Sequence, residues 1–169
     1  MRQAERTGLS HIDARGRARM VDVTGKAWSK RRAIARCRVV LSDAACSAPL
    51  SNGDASSDRH ARSWNELLDA ARVAGIQAAK QTSNLVPLCH PLASCDVGVA
   101  LSVVGDAIEV EGRAEVIAPT GVEMEALTAC AVAGLTLLAA ILPVHPEASI
   151  QDLTLWEKSG GRSGTWIRT

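Results

Sequence analysis

The sequence predicts an α+β protein of the ferredoxin-like order β-α-β-β-α-β, an antiparallel sheet with both helices packed on one face. Three observations predict this fold: a β-hairpin pattern in the middle of the chain, an amphipathic helical pattern before it, and a charge-free helical pattern after it. The 169 residues have the length of one domain and contain no internal repeat. We therefore expect residues 1–169 to form a single domain.

The first predicted strand covers residues 33–41, which end in a run of aliphatic and β-branched side chains. Residues 1–32 precede it as a polar N-terminal arm. Residues 42–62 are rich in Ser, Asp, Asn, Gly and Pro, which is typical of an exposed loop or of a disordered segment. A loop of this length is uncommon inside a compact domain, so it is either an insertion or a decayed element.

The first predicted helix covers residues 65–81, where small apolar residues such as Ala71 and Ala78 recur at helical spacing. Such a small stripe implies that another element packs closely on it. Residues 82–96 contain two prolines and are expected to be irregular.

The predicted hairpin joins residues 97–104 to residues 107–117 through a Gly-Asp turn. Apolar and charged residues alternate along its second strand, which indicates a sheet with one covered face and one wet face.

The second predicted helix begins at the capping box formed by Thr120 and Glu123 and continues to about Leu142. Residues 126–142 carry no charge, but they are fewer than the ~20 that a membrane span usually needs. A buried helix, or a helix at a subunit interface, is therefore favoured over a membrane span. A last strand is predicted at residues 150–157, followed by a glycine-rich tail.

The charge balance excludes a chain-wide basic surface for nucleic acid, because 19 Lys and Arg face 18 Asp and Glu. The positive charge is concentrated in residues 1–62, which suits either phosphate binding or simple solvation. The first ten residues include no apolar signal segment, and the five cysteines include no CxxC pair. We expect a cytoplasmic protein with reduced thiols, no metal, no cofactor, and neither nucleic acid nor membrane as a partner.

Two segments carry side chains suited to acid/base chemistry. Glu123 and Glu125 stand at the start of the second helix, where they either take part in catalysis or only cap the helix and pair with its dipole. His90 lies in Leu88-Cys89-His90-Pro91 on irregular backbone. It is either a general acid/base or a structural histidine bonded to the backbone.

A third segment, residues 159–164, combines glycines with Arg162 and follows Lys158. Backbone amides freed by glycine cradle phosphates in many proteins, although a flexible tail has the same composition.

These pieces together resemble the cyclic pyranopterin monophosphate synthase family of molybdenum-cofactor biosynthesis. The resemblance is carried by AARVAGIQAAKQTSNLVPLCHPL at 70–92, PTGVEMEALTA at 119–129 and EKSGGRSG at 157–164. SHIDARGRARMVDVTGK at 10–26 is similar to the N-terminal stretch of the family. The similarity covers nearly the whole chain apart from the region around 42–63.

The resemblance implies a fold, a reaction and an assembly. The family has the ferredoxin-like fold expected above. Its members convert a cyclised dihydroguanosine triphosphate to cyclic pyranopterin monophosphate with loss of pyrophosphate. They assemble as hexamers, trimers of dimers, with sites at subunit boundaries. A purine or pterin triphosphate-like small molecule is therefore the expected ligand, and a homo-hexamer, or a hexamer mixed with an active paralogue, is the expected assembly.

The resemblance also implies roles for individual residues. His90 and Glu125 are the expected catalytic residues. The expected substrate-binding residues are Leu88, Cys89, His90, Glu123, Met124, Glu125, Lys80, Arg31, Lys158 and Arg162.

The chain departs from the family at the positions that carry its catalytic lysines. Aligned without gaps, a lysine before the first helix becomes Trp64, and an aspartate and a lysine late in the second helix become Ala139 and Leu142. The chain has lysine only at 26, 30, 80 and 158. No placement of gaps in the alignment therefore puts a lysine at either catalytic position of the family. A further lysine of the family is replaced by Pro119. Arginine does not substitute as a titrating group, because its pKa exceeds about 12.

Three interpretations of the sequence follow. The chain is a working or weakened synthase, a non-catalytic binding or partner subunit, or an enzyme with different chemistry on a related purine or pterin. Trp64 supports the third only if it stacks on a base rather than packing at a helix start.

Overall fold

A computed structural model gives the structure of residues 9–41 and 57–169. The helices and strands in these residues are, in chain order, β1 Ser29–Val40, α1 Ser57–Lys80, α2 Thr82–Leu85, β2 Asp96–Val104, β3 Ala107–Ala118, α3 Glu123–Ile141, β4 Ser149–Ser159 and β5 Trp166–Ile167.

The strands form one antiparallel sheet in the order β2-β3-β1-β4-β5. Its first four strands have the ferredoxin-like order, which confirms the predicted fold class. The predicted hairpin is confirmed, since β2 and β3 pair from one end to the other. The glycine-rich tail is not free, because β5 returns and pairs with the end of β4.

The helices α1 and α3 cover one face of the sheet and form the core with it. The core consists of small and aliphatic side chains, as a sequence without Phe or Tyr requires. Glycines allow the layers to approach closely. A Cβ added at Gly75 of α1 would lie 2.7 Å from the Ala129 carbonyl oxygen of α3, and one at Gly112 of β3 would lie 2.6 Å from the Ala126 carbonyl oxygen.

The other side of the sheet, which we call the open face, carries charged side chains. They form ion pairs between neighbouring strands, Lys30–Glu115, Arg32–Glu157, Arg36–Glu111 and Arg113–Asp96, and one between β1 and the hairpin turn, Arg38–Asp106. This is the two-faced pattern that the alternation along the hairpin predicted.

The helix α3 is long and apolar enough to cross a membrane by length and composition alone. Here it packs against α1 and the sheet, and Ala126, Ala129, Ala133 and Leu137 are fully buried along one side. This placement agrees with the buried helix that its length favoured.

The structure corrects two boundaries and one cap. The helix α1 begins at Ser57, so residues 57–62 are helical rather than part of a loop, while residues 42–56 lie outside the described residues. The strand β1 begins at Ser29, so the last residues of the expected arm belong to the sheet. The capping box is wrong, because Val122 is the N-cap of α3 and no side chain caps it.

Candidate active site

The beginning of α3 borders a cleft of about 630 Å³ on the helical side of the sheet. Its walls come from the N-terminal arm, the segment before β2, the start of α3, and β4. The lining residues are Ser10, His11, Val21, Val23, Lys26, Leu88, Cys89, His90, Thr120, Gly121, Glu123, Met124, Glu125 and Leu155.

His90 connects the arm to the body of the domain. Its Nε2 atom lies 2.8 Å from the carbonyl oxygen of Val21. A carbonyl oxygen only accepts, so Nε2 carries the proton, and in the neutral ring Nδ1 holds the free lone pair. The residue is therefore bonded to the backbone, as the structural interpretation expected, and it also lines the cleft, as the functional interpretation expected.

Glu123 and Glu125 lie in the same helical turn but in different surroundings. Glu125 is only 6% exposed, and burial raises its pKa, with the nearby charge of Glu123 adding to the effect. Glu123 is partly exposed, and its Oε1 atom lies 3.4 Å from Nζ of Lys158. One carboxyl group is thus suited to holding a proton, while the other has a cationic partner.

A second cavity of about 360 Å³ adjoins the cleft, since His90 and Glu125 line both. Lys80, at the end of α1, brings a cation to this cavity, and Cys95 contributes a thiol. Burial is the main cause that raises the pKa values of Cys95 and Cys89. Both are therefore held as thiols rather than as reactive thiolates.

The basic residues near the end of β4 lie beside the cleft rather than around it. The guanidinium group of Arg31 lies against Gly161, where a Cβ would overlap with it. Gly160 and Gly161 both have positive φ, 95° and 70°, which glycine adopts without strain. Arg162 is exposed on this loop. Arg31 and Arg162 line neither cavity, whereas Lys158 reaches the cleft through Glu123.

The residue pattern of the N-terminal arm did not predict which of its side chains line the cleft. Ser10, His11 and Lys26 line the cleft, and all three belong to the N-terminal stretch that resembled the family. That stretch was the available signal, but its composition alone does not indicate which side chains face a cavity. Asp22 accepts hydrogen bonds from the backbone N–H and the hydroxyl of Thr24, which lower its pKa and stabilise a turn of the arm.

The three positions that depart from the family lie at the opposite end of the helical layer. Since α1 and α3 run antiparallel, Lys80 and Glu125 share one end, while Trp64, Ala139 and Leu142 lie towards the other. At 1.5 Å per residue, the 17 residues from Glu125 to Leu142 span about 25 Å. Trp64 packs partly against the core, and Leu142 is 40% exposed.

No three His, Cys, Asp or Glu side chains among the described residues come together as a metal site. The cleft and the adjoining cavity bring together cations, carboxyl groups, thiols and an imidazole. Groups of these kinds are able to bind an anionic ligand and to exchange protons with it.

The chain is similar to known proteins over most of its length. Residues 20–161 match the MoaC family model. The chain is 45% identical over 162 residues to the cyclic pyranopterin monophosphate synthase of Thermomicrobium roseum, covering 95% of this chain and 93% of that protein. It is 46% identical over 160 residues to cyclic pyranopterin monophosphate synthase 2 of Mycobacterium tuberculosis H37Rv, covering 95% and 91%. It is 41% identical over 162 residues to the mitochondrial cyclic pyranopterin monophosphate synthase of Arabidopsis thaliana, covering 95% of this chain and 57% of that protein.

Proposed function

The chain belongs to the MoaC family of molybdenum-cofactor biosynthesis, and from this premise we propose that its cleft binds the cyclised dihydro-GTP of that family. We further propose that its own conversion of this compound to cyclic pyranopterin monophosphate and pyrophosphate is impaired. One observation carries the proposal: the cleft at the start of α3 keeps its acid/base and cationic side chains, while the far end of the helical layer has none at the three departing positions.

The cleft supports binding of a phosphorylated ring. Lys26, Lys80 and Lys158 bring three ammonium groups to one end of the molecule, at or next to the two cavities. Cations placed around phosphoryl oxygens stabilise their negative charge. The combined cavities, about 630 and 360 Å³, have the volume of a nucleotide-sized ligand site.

Two residues in the cleft support proton transfer. Glu125 holds a proton to a higher pH than an ordinary glutamate, because its buried carboxyl group is poorly solvated. We assign it the role of a proton donor to the ring. His90 donates its Nε2 proton to Val21 in the free protein, which leaves Nδ1 as the basic atom. We assign His90 the role of a proton acceptor.

The residues at the three departing positions of the far end support impaired catalysis. Trp64, Ala139 and Leu142 offer no ammonium and no carboxylate at the positions where the resemblance implies them. Loss of one group that acts in a transition state commonly costs on the order of a hundredfold in rate. The loss of three would leave little of the family reaction.

The distance between the two ends supports an assembly. About 25 Å separates the cleft from the far end of the same chain, too far for both to act on one small molecule. We propose that a site of the family type forms between chains, with the cleft of one copy facing the far end of another. We therefore propose a homo-hexamer, a trimer of dimers, for this chain.

We propose no partner beyond the small molecule and other chains of this family. Neither nucleic acid nor a membrane is part of the proposal. The cytoplasmic location expected from the sequence stays a prediction.

A coupled assay tests the proposed function. The radical enzyme that makes the cyclised dihydro-GTP would supply substrate, and both pterin product and pyrophosphate would be followed. A lysine-complete relative is the positive control, and a reaction without this protein is the blank. We expect product roughly a hundredfold or more below that of the relative. Equal turnover by both proteins would refute impairment, and failure of the folded protein to bind the substrate in equilibrium dialysis would refute the cleft as its site.

A second function, a partner subunit in a mixed hexamer, is favoured by the separation of the two ends. The intact cleft of this chain would complete a site with the far end of a lysine-complete paralogue. The test mixes this chain with a relative whose histidine at the position of His90 has been changed to alanine. Turnover by the mixture, from two proteins that are inactive alone, would support the partner role. A mixture that forms hexamers and stays inactive would refute it.

A further inference from the structure

The described part of the N-terminal arm, residues 9–28, forms one wall of the cleft. Five residues of this segment are half-buried, and four of them line the cleft: His11, Val21, Val23 and Lys26. The side of the arm that faces the domain is therefore the side that faces the cleft. Movement of the arm away from the domain would open the cleft to solvent.

The arm has no side chain anchored in the core. None of residues 9–28 is buried, and the large apolar side chains of Leu9, Ile12, Met20 and Trp28 are exposed. The arm thus lacks the burial of apolar surface that holds the helices and the sheet together. Segments held in this way open locally at a small free-energy cost.

The hydrogen bonds of the arm are internal, with one exception within the described residues. Those of residues 9–26 otherwise join arm residues to one another, and the ion pair between Arg17 and Asp13 is internal as well. The exception is the bond of 2.8 Å between Nε2 of His90 and the carbonyl oxygen of Val21. We call this bond the latch, because it fastens a self-contained segment to the domain.

The joint between the arm and the sheet is suited to a hinge. A turn there is closed by a bond of 3.0 Å from the N–H of Lys26 to the carbonyl oxygen of Val23. Nothing lies within 4 Å of a Cβ built at Gly25, inside this turn. The first position fixed in the sheet is Ser29, which pairs with Ala118. A few loop residues between the latch and β1 are enough to absorb a hinge movement.

We propose that residues 9–28 are a lid, which opens at the latch to admit the ligand and then closes over it. The identity of the ligand, a phosphorylated purine or pterin, rests on the proposed function, whereas the lid does not. A ligand in the cleft touches both the arm and the domain, so it binds the closed arm more tightly than the open one. Its binding must therefore shift the arm towards the closed position.

The latch connects closure of the lid to the imidazole of the cleft. While the arm is closed, Nε2 of His90 is occupied by Val21, and Nδ1 is the atom left for the ligand. When the arm opens, water replaces the carbonyl oxygen and the ring is free to turn. His90 is thus held in one orientation only in the closed state, in which the arm also excludes water from the cleft.

Thiol labelling tests the lid without any ligand. Cys89 lines the cleft, one wall of which is the arm. Cys95 lines the adjoining cavity, to which residues 9–28 contribute no side chain. A bulky maleimide should therefore react with Cys89 faster when the arm opens, while Cys95 is an internal reference in the same chain. Mass spectrometry of the labelled peptides measures both rates.

Two aspartates of the arm offer a matched pair of variants. Asp22 directly follows Val21, and its Oδ1 atom accepts the N–H of Thr24 at 2.9 Å. Asp13 makes the same kind of turn in the hairpin nearer the N-terminus, where its Oδ1 atom accepts the N–H of Arg15 at 2.8 Å. Loss of either carboxylate loosens a turn of the arm, but only the first turn adjoins the latch.

We expect Asp22→Ala to raise the rate of Cys89 labelling roughly fivefold, the change that loss of one ordinary hydrogen bond produces. The rate at Cys95 should not change. Asp13→Ala should leave both rates at their wild-type values. Circular dichroism establishes that each variant is folded.

Hydrogen exchange in the wild-type chain tests closure on a ligand. The probe is GTP, a stable purine triphosphate, at a concentration that saturates the protein in equilibrium dialysis. Residues 12–18 line neither cavity, so contact with GTP does not by itself protect their amides. The hairpin that they form should unfold less often when the arm is held closed. We expect bound GTP to slow their exchange roughly tenfold, as the open population falls.

Several results would overturn the lid. They are equal labelling of Cys89 in the wild type and in Asp22→Ala, a parallel rise at Cys95, an equal rise caused by Asp13→Ala, or exchange at 12–18 that bound GTP leaves unchanged. Failure of GTP to bind in dialysis would instead count against the proposed function. The labelling experiment contains no ligand, so it would still decide whether the arm is a lid.

Discussion

At the scale of single residues, the two glutamates of the α3 start show how burial separates chemically identical groups. Glu125 is 6% exposed, and its pKa is raised mainly by desolvation. Glu123, two residues earlier, reaches Lys158 at 3.4 Å. The sequence predicts that both carboxyl groups lie at a helix start, but it contains no signal for which one is buried.

Replacement of Glu125 by glutamine should stabilise the folded chain at neutral pH. The raised pKa means that the folded state binds this proton more tightly than the unfolded state, so stability is lost as the pH rises through the window between the ordinary and the raised pKa. We expect Glu125→Gln to raise Tm by a few degrees at pH 7 and to have little effect near pH 4. Thermal melts at both values check this.

Glu123→Gln is the matched control for that change. Its carboxylate is paired with Lys158 and partly exposed, so its removal should raise Tm at neutral pH by less than Glu125→Gln does, even though it removes a charge that adds to the raised pKa of Glu125. An equal rise in Tm for both variants, or a rise for Glu125→Gln at pH 4, would contradict the burial argument.

At the scale of elements, the N-terminal arm has no buried residue from 9 to 28. The hydrogen bond from Nε2 of His90 to the Val21 carbonyl fastens residues 9–28 over the cleft. Segments held by few buried contacts open locally at a small free-energy cost. The arm is therefore the element whose position should respond most to a change at His90.

The His90→Ala variant should be cut faster by trypsin within the arm, after Arg19 or Lys26. Loss of one hydrogen bond is worth about 1 kcal/mol, which raises the open population roughly fivefold. Mass spectrometry of the early fragments measures the cleavage rate. His145→Ala, beyond the end of α3, is the control and should leave that rate unchanged. Equal rates in wild type and His90→Ala would show that this bond does not hold the arm.

The close contact between α1 and α3 depends on Gly75, which has no side chain. Gly75→Ala would place a Cβ 2.7 Å from the Ala129 carbonyl oxygen and 3.2 Å from the Ala133 Cβ atom. Overpacking a core costs about 1–3 kcal/mol, whereas replacing glycine by alanine in a helix gains about 1 kcal/mol in helix propensity. With backbone this close to the added Cβ, the cost should lie near the top of its range and exceed the gain.

We therefore expect Gly75→Ala to lower Tm by several degrees in thermal unfolding. Gly25→Ala is the control, because nothing lies within 4 Å of its added Cβ. A Tm for Gly75→Ala at or above the wild-type value would show that the two helices separate at little cost.

The order and type of the six main elements could be predicted from the sequence, because each pattern is local, whereas the short helix α2 and the short strand β5 were not predicted. The alternation of apolar and charged residues predicted the hairpin, and the absence of charged residues after residue 125 predicted the buried helix. The start of α1 at Ser57 could not be predicted, because its polar first turns have the composition of a loop. The cap at Val122 was missed because a capping box depends on backbone angles as well as on residue types.

At the scale of the whole molecule, the helical layer has two ends of opposite character. One end gathers His90, Glu125 and the lysines, while the other presents Trp64 and an uncharged end of α3. The resemblance to the family identified most of the first set. Cavities formed by the arm could not be read from the sequence, since they depend on how distant segments meet.

We propose that this chain keeps the cleft of the synthase family and has lost the catalytic groups at the far end. The most direct measurement is pyrophosphate release by Trp64→Lys, Ala139→Asp and Leu142→Lys combined in one chain, compared with the parent in the coupled assay. We expect the triple variant to release pyrophosphate roughly a hundredfold or more faster than the parent. A folded, oligomeric triple variant as inactive as the parent, or a parent as active as a lysine-complete relative, would contradict it.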